Sequence, residues 1–124
     1  AFEGHVPDPN DYMRRCHVGV VASLGSEAVS RAAVEWMAAG RPLVATAVGC
    51  LPEYVKDGTT GRLVAPDNAE SQAAALVETG SDPLLRERWG AAARARYESV
   101  FSSARFLDQF ERTLSDALHG VPSR

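Results

Sequence analysis

"HVGVVASLGSEAVSRAAVEWMAAGRPLVATAV", residues 17–48, contains two apolar runs separated by a helical pattern. The first run, 17–23, is rich in valine and lacks polar alternation, which is typical of a strand buried on both faces. The second run, 42–48, opens with a proline, which is tolerated at the first position of a strand. Residues 30–40 are mostly good helix formers, and Gly40 suits the position after a helix end. The stretch therefore predicts a strand–helix–strand unit with parallel strands.

On either side of this unit, the chain continues the alternation of apolar runs and helical patterns. "GRLVAP" (61–66) is a third, shorter apolar run, which follows the turn sequence "DGTTG" (57–61). The order of the elements predicts an α/β domain, with a Rossmann-like parallel sheet and flanking helices. At 124 residues, the chain has room for one such domain with a single hydrophobic core.

Five further helices are predicted from capping residues and apolar spacing. The first is a short helix within 7–16 capped by Asn10 or Asp11, and the second is a single turn within 52–58 that begins at Pro52 and ends at Gly58. The third lies within 69–80 and ends at Gly80. The fourth has Asp82 as its cap and Pro83 as its first residue, and the last covers 102–118. The predicted buried stripe of the helix within 69–80 is Ala69, Ala73, Leu76 and Val77. The final "VPSR" is expected to fray.

Charge and composition exclude several classes of function. With 13 basic and 16 acidic residues the net charge is −3, which gives no electrostatic indication of nucleic-acid binding. No apolar run approaches ~18 residues, and we therefore predict no membrane-spanning helix.

Cys16 and Cys50 lack the spacing of metal ligands and are expected to be reduced and to pack near strand ends. Trp36 and Trp89 lie on helical stripes, which predicts core packing.

Two glutamates, Glu27 and Glu35, are the main candidates for a site, at the start of the predicted helix and inside it. In an open α/β sheet, ligands bind beyond the carboxyl ends of the strands, where a helix N-terminus favours an anion. Eight helical steps of 1.5 Å separate the two acids by about 12 Å. A retaining glycosidase needs its carboxylate pair at ~5 Å, so this pair does not fit that chemistry. The separation suits the two hydroxyl-rich ends of a nucleotide-diphosphate sugar, because hydroxyls donate to carboxylates.

Spacing alone leaves other interpretations of these residues open. Glu27 also fits a helix-capping carboxylate and Glu35 a surface acid, although its apolar neighbours Val34 and Met37 favour a partly covered position. Arg31 places a positive charge in the first helical turn, where it opposes the helix dipole. A nearby anion would offset that cost, and an arginine that points outward explains it equally well.

The longer stretch "SEAVSRAAVEWMAAGRPLVATAVGCLPEYVKDGTTGRLVAPDN" (26–68) resembles the retaining, nucleotide-sugar-dependent glycosyltransferases of family 4, which have the GT-B fold. Their pattern is Ser-Glu, a second glutamate eight positions on, "G-x-P-V-V-A-T", "V-G-G-x-P-E" and "D-G-x-T-G-x-L-V". The matching residues are Ser26, Glu27, Glu35, Gly40, Pro42, Val44, Ala45, Thr46, Val48, Gly49, Pro52, Glu53, Asp57, Gly58, Thr60, Gly61, Leu63 and Val64. The segment 82–102 is also similar to the family's C-terminal segment.

The resemblance implies a role for each residue around the glutamate pair. Glu27 would contact the transferred sugar as the catalytic residue, and Glu35 would hold the ribose hydroxyls. Backbone amides beside Glu27 would meet the diphosphate, whose developing charge the helix end and basic groups would stabilise without a metal ion or cofactor. The implied donor-binding residues are Ala28, Val29, Ser30, Arg31 and Glu35. Ala28, Trp36 and Cys50 depart from the family pattern, and Ala28 slightly narrows the pocket.

The resemblance also implies that residues 1–124 are part of the C-terminal, donor-binding domain of a longer enzyme. The opening "AFEGHVPDPNDYMRRC" (1–16) is similar to the end of that domain's third strand and the short helix after it, and 102–118 to a helix that crosses to the first domain. The acceptor-binding domain and the earlier units, which supply an Arg and a Lys for the diphosphate, are missing from this chain. We expect the chain alone to be inactive and to self-associate through the crossover helix.

For the full-length protein, the resemblance implies a hexosyltransferase whose acceptor is a cell-surface glycan or glycolipid precursor. A cytoplasmic location is expected, with peripheral binding at the inner membrane face left open. Two alternatives remain at this point. One is a non-catalytic nucleotide-sugar-binding or interaction module, and the other is a UDP-sugar epimerase of the same fold.

Overall fold

The computed structural model describes residues 3–120, and its centre is a parallel sheet of three strands. The strands are β1 (Gly19–Val21), β2 (Leu43–Thr46) and β3 (Gly61–Val64), in the spatial order β1-β2-β3. Gly19 lies opposite Leu43 in the register, and Leu43 lies opposite Gly61. The predicted strand–helix–strand unit and the parallel sheet are confirmed, although each strand is shorter than its apolar run.

Six α-helices and one π-helical turn surround this sheet within the described residues. The helices are α1 (Pro9–Arg15), α2 (Arg31–Ala38), α3 (Leu51–Tyr54), α4 (Ala69–Ser81), α5 (Pro83–Arg96) and α6 (Ser103–His119), and the π-helical turn is Tyr97–Phe101. The architecture is therefore α/β with helices beside a parallel sheet, as predicted.

The core forms two layers, one on each face of the sheet. On one face, α2, α3 and α5 cover the alternate β2 residues Leu43 and Ala45. On the other face, α4 covers Val44. All four residues of β2 are buried, because helices pack on both faces and a strand pairs on each side.

Helix ends differ from the predictions in three places. Asp8 caps α1, where its carboxylate accepts a 3.0 Å hydrogen bond from the N–H of Asn10, so the predicted caps Asn10 and Asp11 were wrong. The helix α3 begins one residue before Pro52 and ends at Tyr54, so Gly58 does not end it. Gly80 does not end α4 either, since the helix continues to Ser81.

Asp82 explains the end of α4. It has an extended backbone, and its carboxylate accepts hydrogen bonds from the N–H groups of Leu84 and Leu85, so it caps α5 as predicted. Pro83 follows it, and a proline disfavours the helical conformation in the residue before it. The stop signal is therefore the Asp-Pro pair rather than the glycine.

The buried stripe of α4 also differs from the prediction. Ala75 and Thr79 are buried, and of the predicted stripe only Leu76 packs against the core, since Ala69, Ala73 and Val77 are exposed. Thr79 is buried because its hydroxyl donates a 2.8 Å hydrogen bond to the carbonyl oxygen of Ala75, which satisfies the polar group inside the helix. The spacing of apolar residues does not reveal a buried threonine whose hydroxyl is hydrogen-bonded within its own helix.

Both tryptophans pack in the core, as predicted. Trp89 is buried on α5, and Trp36 of α2 lies against the first core layer. A Cβ atom on Gly19 would lie 2.5 Å from the Trp36 ring, so the indole occupies the space that a side chain on β1 would need. The large Trp36 side chain is thus accommodated by a glycine on β1.

The two cysteines were predicted to be unpaired and packed, and the prediction of packing was wrong for Cys16. Both Cys16 and Cys50 are free thiols. Cys16 is exposed at the C-terminal end of α1, because the chain leaves the helix there before it reaches β1. Cys50 is half-buried directly before α3.

The two ends of the chain leave some predictions open. Within residues 3–8 no strand forms, so the expected strand end in the opening is wrong over that part, and residues 1 and 2 lie outside the described residues. The "VPSR" tail, expected to fray, also lies outside them. The helix α6, described over its whole length, buries none of its side chains.

In the described part of the chain, no helix is long and apolar enough to cross a membrane.

Candidate functional site

Glu27 lies in the loop between β1 and α2, at the carboxyl end of the sheet. Its carboxylate is half-buried and accepts a 2.7 Å hydrogen bond from the hydroxyl of Ser23, four residues earlier. One carboxylate oxygen is thus used to fix the side chain, while the other remains available to a ligand.

The end of β2 holds the same loop from the neighbouring strand. The hydroxyl of Thr46, the last residue of β2, donates a 2.7 Å hydrogen bond to the carbonyl oxygen of Ser23. The backbone N–H of Cys50 donates a 2.8 Å hydrogen bond to the carbonyl oxygen of Glu27. Glu27 is therefore positioned jointly by the loops that follow two adjacent parallel strands, the usual location of ligands in open α/β sheets.

Gly49 permits the close approach of these two loops. Its φ is +52°, a left-handed conformation that residues with a Cβ atom rarely adopt. A Cβ atom at this position would lie 2.2 Å from the carbonyl oxygen of Glu27 and 2.5 Å from its nitrogen. Only a glycine lets the backbone after β2 rest directly on the backbone of Glu27.

The start of α2 lies four residues beyond Glu27, later than the helical spacing assumed. Ser30 caps the helix: it is buried, and its hydroxyl accepts a 3.4 Å hydrogen bond from the N–H of Ala33. Residues 27–30 are therefore not helical, and the separation of about 12 Å derived from helical rise does not apply to the glutamate pair. The capping interpretation of Glu27 is also wrong, because Ser30 is the cap.

Glu35 projects from the second turn of α2 and is engaged by Arg31. The guanidinium Nε of Arg31 donates a 2.7 Å hydrogen bond to Glu35, whose side chain is 26% exposed while that of Arg31 is 89% exposed. Glu35 is thus partly covered, and Arg31 points outward along the helix. The pair gives a local reason for an arginine in the first turn, since it faces an acid one turn later.

Tyr54 of α3 lies beneath both loops. Burial, followed by hydrogen bonding to the thiol of Cys50, raises the pKa of its hydroxyl, and a hydrogen bond with the backbone of Ser30 acts in the opposite direction. The ring meets that of Phe101 edge-to-face, with 4.8 Å between centroids. Tyr54 therefore packs α3 against the π-helical turn.

Two surface depressions lie at the opposite end of the sheet. The larger has a volume of about 440 Å³ and is lined by Asn10, Arg14, Ala38, Ala39, Gly40 and Arg94. The other has a volume of about 280 Å³ and includes Arg41, Pro42 and Arg86. Gly40 and Pro42 precede β2, so both depressions are at the amino end of that strand, away from Glu27.

Comparison with known proteins assigns the chain to a family. The family model described as "Glycosyl transferases group 1" matches residues 1–82, which include Glu27, Glu35 and all three strands. The chain belongs to the group 1 glycosyltransferases.

Curated members of this glycosyltransferase group are similar over most of the chain. The D-inositol 3-phosphate glycosyltransferase of Streptomyces griseus is 39% identical over 109 residues, which cover 86% of this chain and 23% of that protein. The phosphatidyl-myo-inositol mannosyltransferase of Mycolicibacterium smegmatis is 36% identical over 121 residues, with 94% of this chain and 31% of that protein covered. The chain thus spans less than a third of the length of either relative.

Solved glycosyltransferase structures confirm the fold class. The crystal structure of HepE from Anabaena, in complex with UDP-glucose, superposes with a TM-score of 0.79 at 27% sequence identity. The match covers 85% of this chain and 29% of that one. The structural neighbours are GT-B glycosyltransferases, so the predicted GT-B relationship is confirmed.

The roles expected for Glu27 and Glu35 stay predictions, and the sequence analysis missed the residues that hold Glu27. These are Ser23, Thr46 and Cys50. Thr46 had a usable signal, since it is a polar residue that stays buried at the end of an apolar run. Within residues 3–120, no group of three or more His, Cys, Asp and Glu could hold a metal ion, and the expected independence from metal stays a prediction.

Proposed function

We propose that this chain forms part of the donor site of a retaining, family 4 glycosyltransferase that uses a nucleotide-diphosphate sugar. The observation that carries the proposal is the position of Glu27, which hydrogen bonds from Ser23 and Cys50 fix at the carboxyl edge of the sheet. A preorganised carboxylate at this edge suits the hydroxyls of a bound sugar. A neighbour in complex with UDP-glucose supports a uridine nucleotide as the donor to test first.

In this proposal, Glu27 contacts the transferred sugar and is the catalytic residue. Ser23 occupies one carboxylate oxygen, so the other can accept a sugar hydroxyl or stabilise positive charge that develops on the sugar in the transition state. Because both loops restrain the backbone of Glu27, little reorganisation is needed when the substrate binds.

The diphosphate would lie over the start of α2, next to Ala28, Val29 and Ser30. Ala28 and Val29 are exposed, and the first N–H groups of any helix have no partner within the helix. The partial positive charge of the helix end favours an anion there. It would stabilise the negative charge that grows on the leaving diphosphate, and the proposed reaction needs no metal ion or cofactor.

Glu35 would accept hydrogen bonds from the ribose hydroxyls, while Arg31 would move to the diphosphate. The Arg31–Glu35 pair is an exposed pair on one helix face, and such pairs contribute only about 0.3–0.5 kcal/mol. Arg31 can therefore leave Glu35 and bind a phosphate with little loss of free energy. A half-buried carboxylate and an exposed arginine would then bind different parts of one nucleotide.

We further propose that the chain acts as part of a C-terminal domain in a longer protein, over residues 1–124. Val20 of β1 is 42% exposed although its strand has the sequence of one buried on both faces, which supports additional structure beside β1. The missing part would include the acceptor-binding domain and would meet α6. The isolated chain would then catalyse no transfer and would self-associate through α6.

The acceptor proposed for the longer protein is a glycolipid or cell-surface glycan precursor, handled on the cytoplasmic side of the membrane. The name of one relative, a phosphatidyl-myo-inositol mannosyltransferase, supports a lipid acceptor, whereas the name of the other gives the water-soluble D-inositol 3-phosphate. Transfer by the longer protein, with the product anomer determined by NMR, tests both the acceptor class and retention. Binding of the donor without transfer would instead favour a non-catalytic module.

Calorimetric titration of the chain with UDP and with UDP-glucose tests the donor site. Glu35→Gln is expected to weaken both ligands about tenfold, because both contain the ribose. Glu27→Gln is expected to weaken UDP-glucose and leave UDP unchanged. Glu111→Gln, an exposed substitution on α6, is the matched control. Equal affinities in all variants would contradict the proposed roles.

A further inference from the structure

We propose that Arg96, at the C-terminal end of α5, is a positioning residue for the donor-site loop that carries Glu27. It acts through α3 and does not contact the substrate. The inference rests on the proposed function, because the loop that it positions is the proposed sugar-binding loop.

Arg96 holds the C-terminal end of α3. Its Nε donates a 2.9 Å hydrogen bond to the carbonyl oxygen of Tyr54, and its Nη2 donates a 2.5 Å hydrogen bond to the carbonyl oxygen of Glu53. The last carbonyl groups of a helix have no partner within the helix, and a cation there interacts favourably with the helix dipole. Arg96 therefore supplies two partners to a helix of four residues, which has little stability of its own.

The other end of α3 holds Glu27. Cys50 directly precedes α3, and its N–H donates to the carbonyl oxygen of Glu27. Only one helical turn separates this bond from the two carbonyl groups that Arg96 binds. A displacement of α3 would consequently move Cys50 and lengthen its hydrogen bond to Glu27.

The π-helical turn reinforces the contact between Arg96 and α3. Phe101, the last residue of this turn, packs edge-to-face on Tyr54, and the Arg96 guanidinium lies 5.4 Å from the centroid of the Phe101 ring. π-Helical turns occur frequently at functional sites. Here the turn begins directly after Arg96, ends at Phe101 and precedes α6, which begins at Ser103.

Amide hydrogen exchange of the full chain, measured residue by residue, tests this inference. Arg96→Met removes both hydrogen bonds and keeps most of the side-chain stem. The exchange of the Cys50 N–H is expected to accelerate about tenfold, whereas the N–H groups of β2 keep their rates. Arg96→Lys restores the charge and one donor, so it should recover part of the protection. Arg88→Met, an exposed substitution on the same helix, is the control and should change neither rate.

The affinity for UDP-glucose, measured on the same variants, separates this inference from the proposed function. A selective loss of Cys50 protection together with weaker UDP-glucose binding supports both. If the Cys50 N–H selectively loses protection but the chain binds no UDP-glucose, the role of Arg96 in positioning Glu27 is supported and the proposed donor site is contradicted. Unchanged Cys50 exchange in Arg96→Met, or equal acceleration at Cys50 and in β2, overturns the role of Arg96.

Discussion

The backbone N–H of Cys50 and the carbonyl oxygen of Glu27 form a 2.8 Å hydrogen bond that joins the loops after β2 and β1. This bond connects two segments that are 23 residues apart in the sequence (50 − 27) and brings the proposed catalytic residue to the end of a second strand. It depends on Gly49, whose backbone conformation and lack of a side chain let the two loops touch.

Gly49→Ala should therefore destabilise the protein more than a glycine substitution that has only a conformational cost. Gly58 is the matched control, because its φ is +70° and the nearest atom to an added Cβ would be 3.5 Å away. We expect Gly58→Ala to lower the free energy of unfolding by about 1 kcal/mol. Gly49→Ala should lower it by roughly 2–4 kcal/mol, since a clash with Glu27 is added. Urea unfolding of both variants measures the difference, and equal losses would show that the loops do not touch.

The contact between Gly19 and Trp36 makes a second prediction. Gly19→Ala places a methyl group where the indole lies, and overpacking of this kind costs about 1–3 kcal/mol. In a Trp36→Ala background the methyl group has space, so the same substitution should cost less than half as much. A double-mutant cycle on the free energy of unfolding measures this coupling. Additive effects of the two substitutions would contradict the packing.

The sequence was sufficient to predict the sheet, because valine-rich runs such as "HVGVVAS" (17–23) favour strands. The expected burial of this run on both faces was wrong, since Val20 in the middle of β1 is 42% exposed. It was also sufficient for the cap Asp82, since an Asp-Pro pair has one common structural role at a helix start. Ser30 was missed as the cap of α2, because several polar residues precede that helix and local propensity does not choose between them.

The support of Glu27 could not be predicted for a different reason. Ser23, Thr46 and Cys50 come together through strand pairing, and although Thr46 stands out as a polar residue at the end of an apolar run, nothing local in the sequence indicates which residues it contacts. Gly80 was wrongly predicted for a different reason. Glycine commonly ends helices, but α4 continues past Gly80 and ends only at the Asp82-Pro83 pair that follows. Local chemistry thus predicted the elements, whereas tertiary contacts decided the geometry of the site.

Glu78 of α4 should make stability depend on pH. Arg62 of β3 donates hydrogen bonds of 2.7 and 2.8 Å to its carboxylate, and these bonds lower the pKa of Glu78. A carboxyl group with a lowered pKa in the folded state stabilises the protein above its unfolded pKa, about 4.3 for Glu. That contribution is lost as the pH falls through the lowered, folded-state value.

Glu78→Gln is accordingly expected to cost roughly 0.2–1 kcal/mol at pH 7, a small amount because both side chains are partly exposed. The difference from the wild type should shrink as the pH falls below about 4. Urea unfolding across this pH range measures the effect, with the exposed Glu87→Gln as the control. A cost that stays constant down to pH 2 would show that the ion pair does not contribute.

The apolar face of α6 predicts that the isolated chain self-associates. Phe106, Phe110 and Leu114 are all exposed, and the two phenylalanine rings stack with 6.1 Å between centroids. Exposed apolar stripes of this kind mark interfaces. Phe110→Glu should shift the chain towards the monomer in sedimentation velocity at high concentration.

Gln109→Glu introduces the same side chain on a different face of α6 and is the control for this prediction. It should leave the sedimentation profile unchanged, apart from the effect of one added charge. A wild-type chain that sediments as a monomer at every concentration would contradict self-association.

Chemical-shift mapping with UDP-glucose tests the central claim most directly, because it locates the ligand without assuming which residues bind it. In two-dimensional amide spectra of the labelled chain, we expect shifts within 23–35 and at Gly49 and Cys50. Residues around the depressions at the other end of the sheet, such as Gly40 and Arg41, should not shift. Shifts confined to Gly40 and Arg41, or an unchanged spectrum at millimolar UDP-glucose, would contradict a donor site at Glu27.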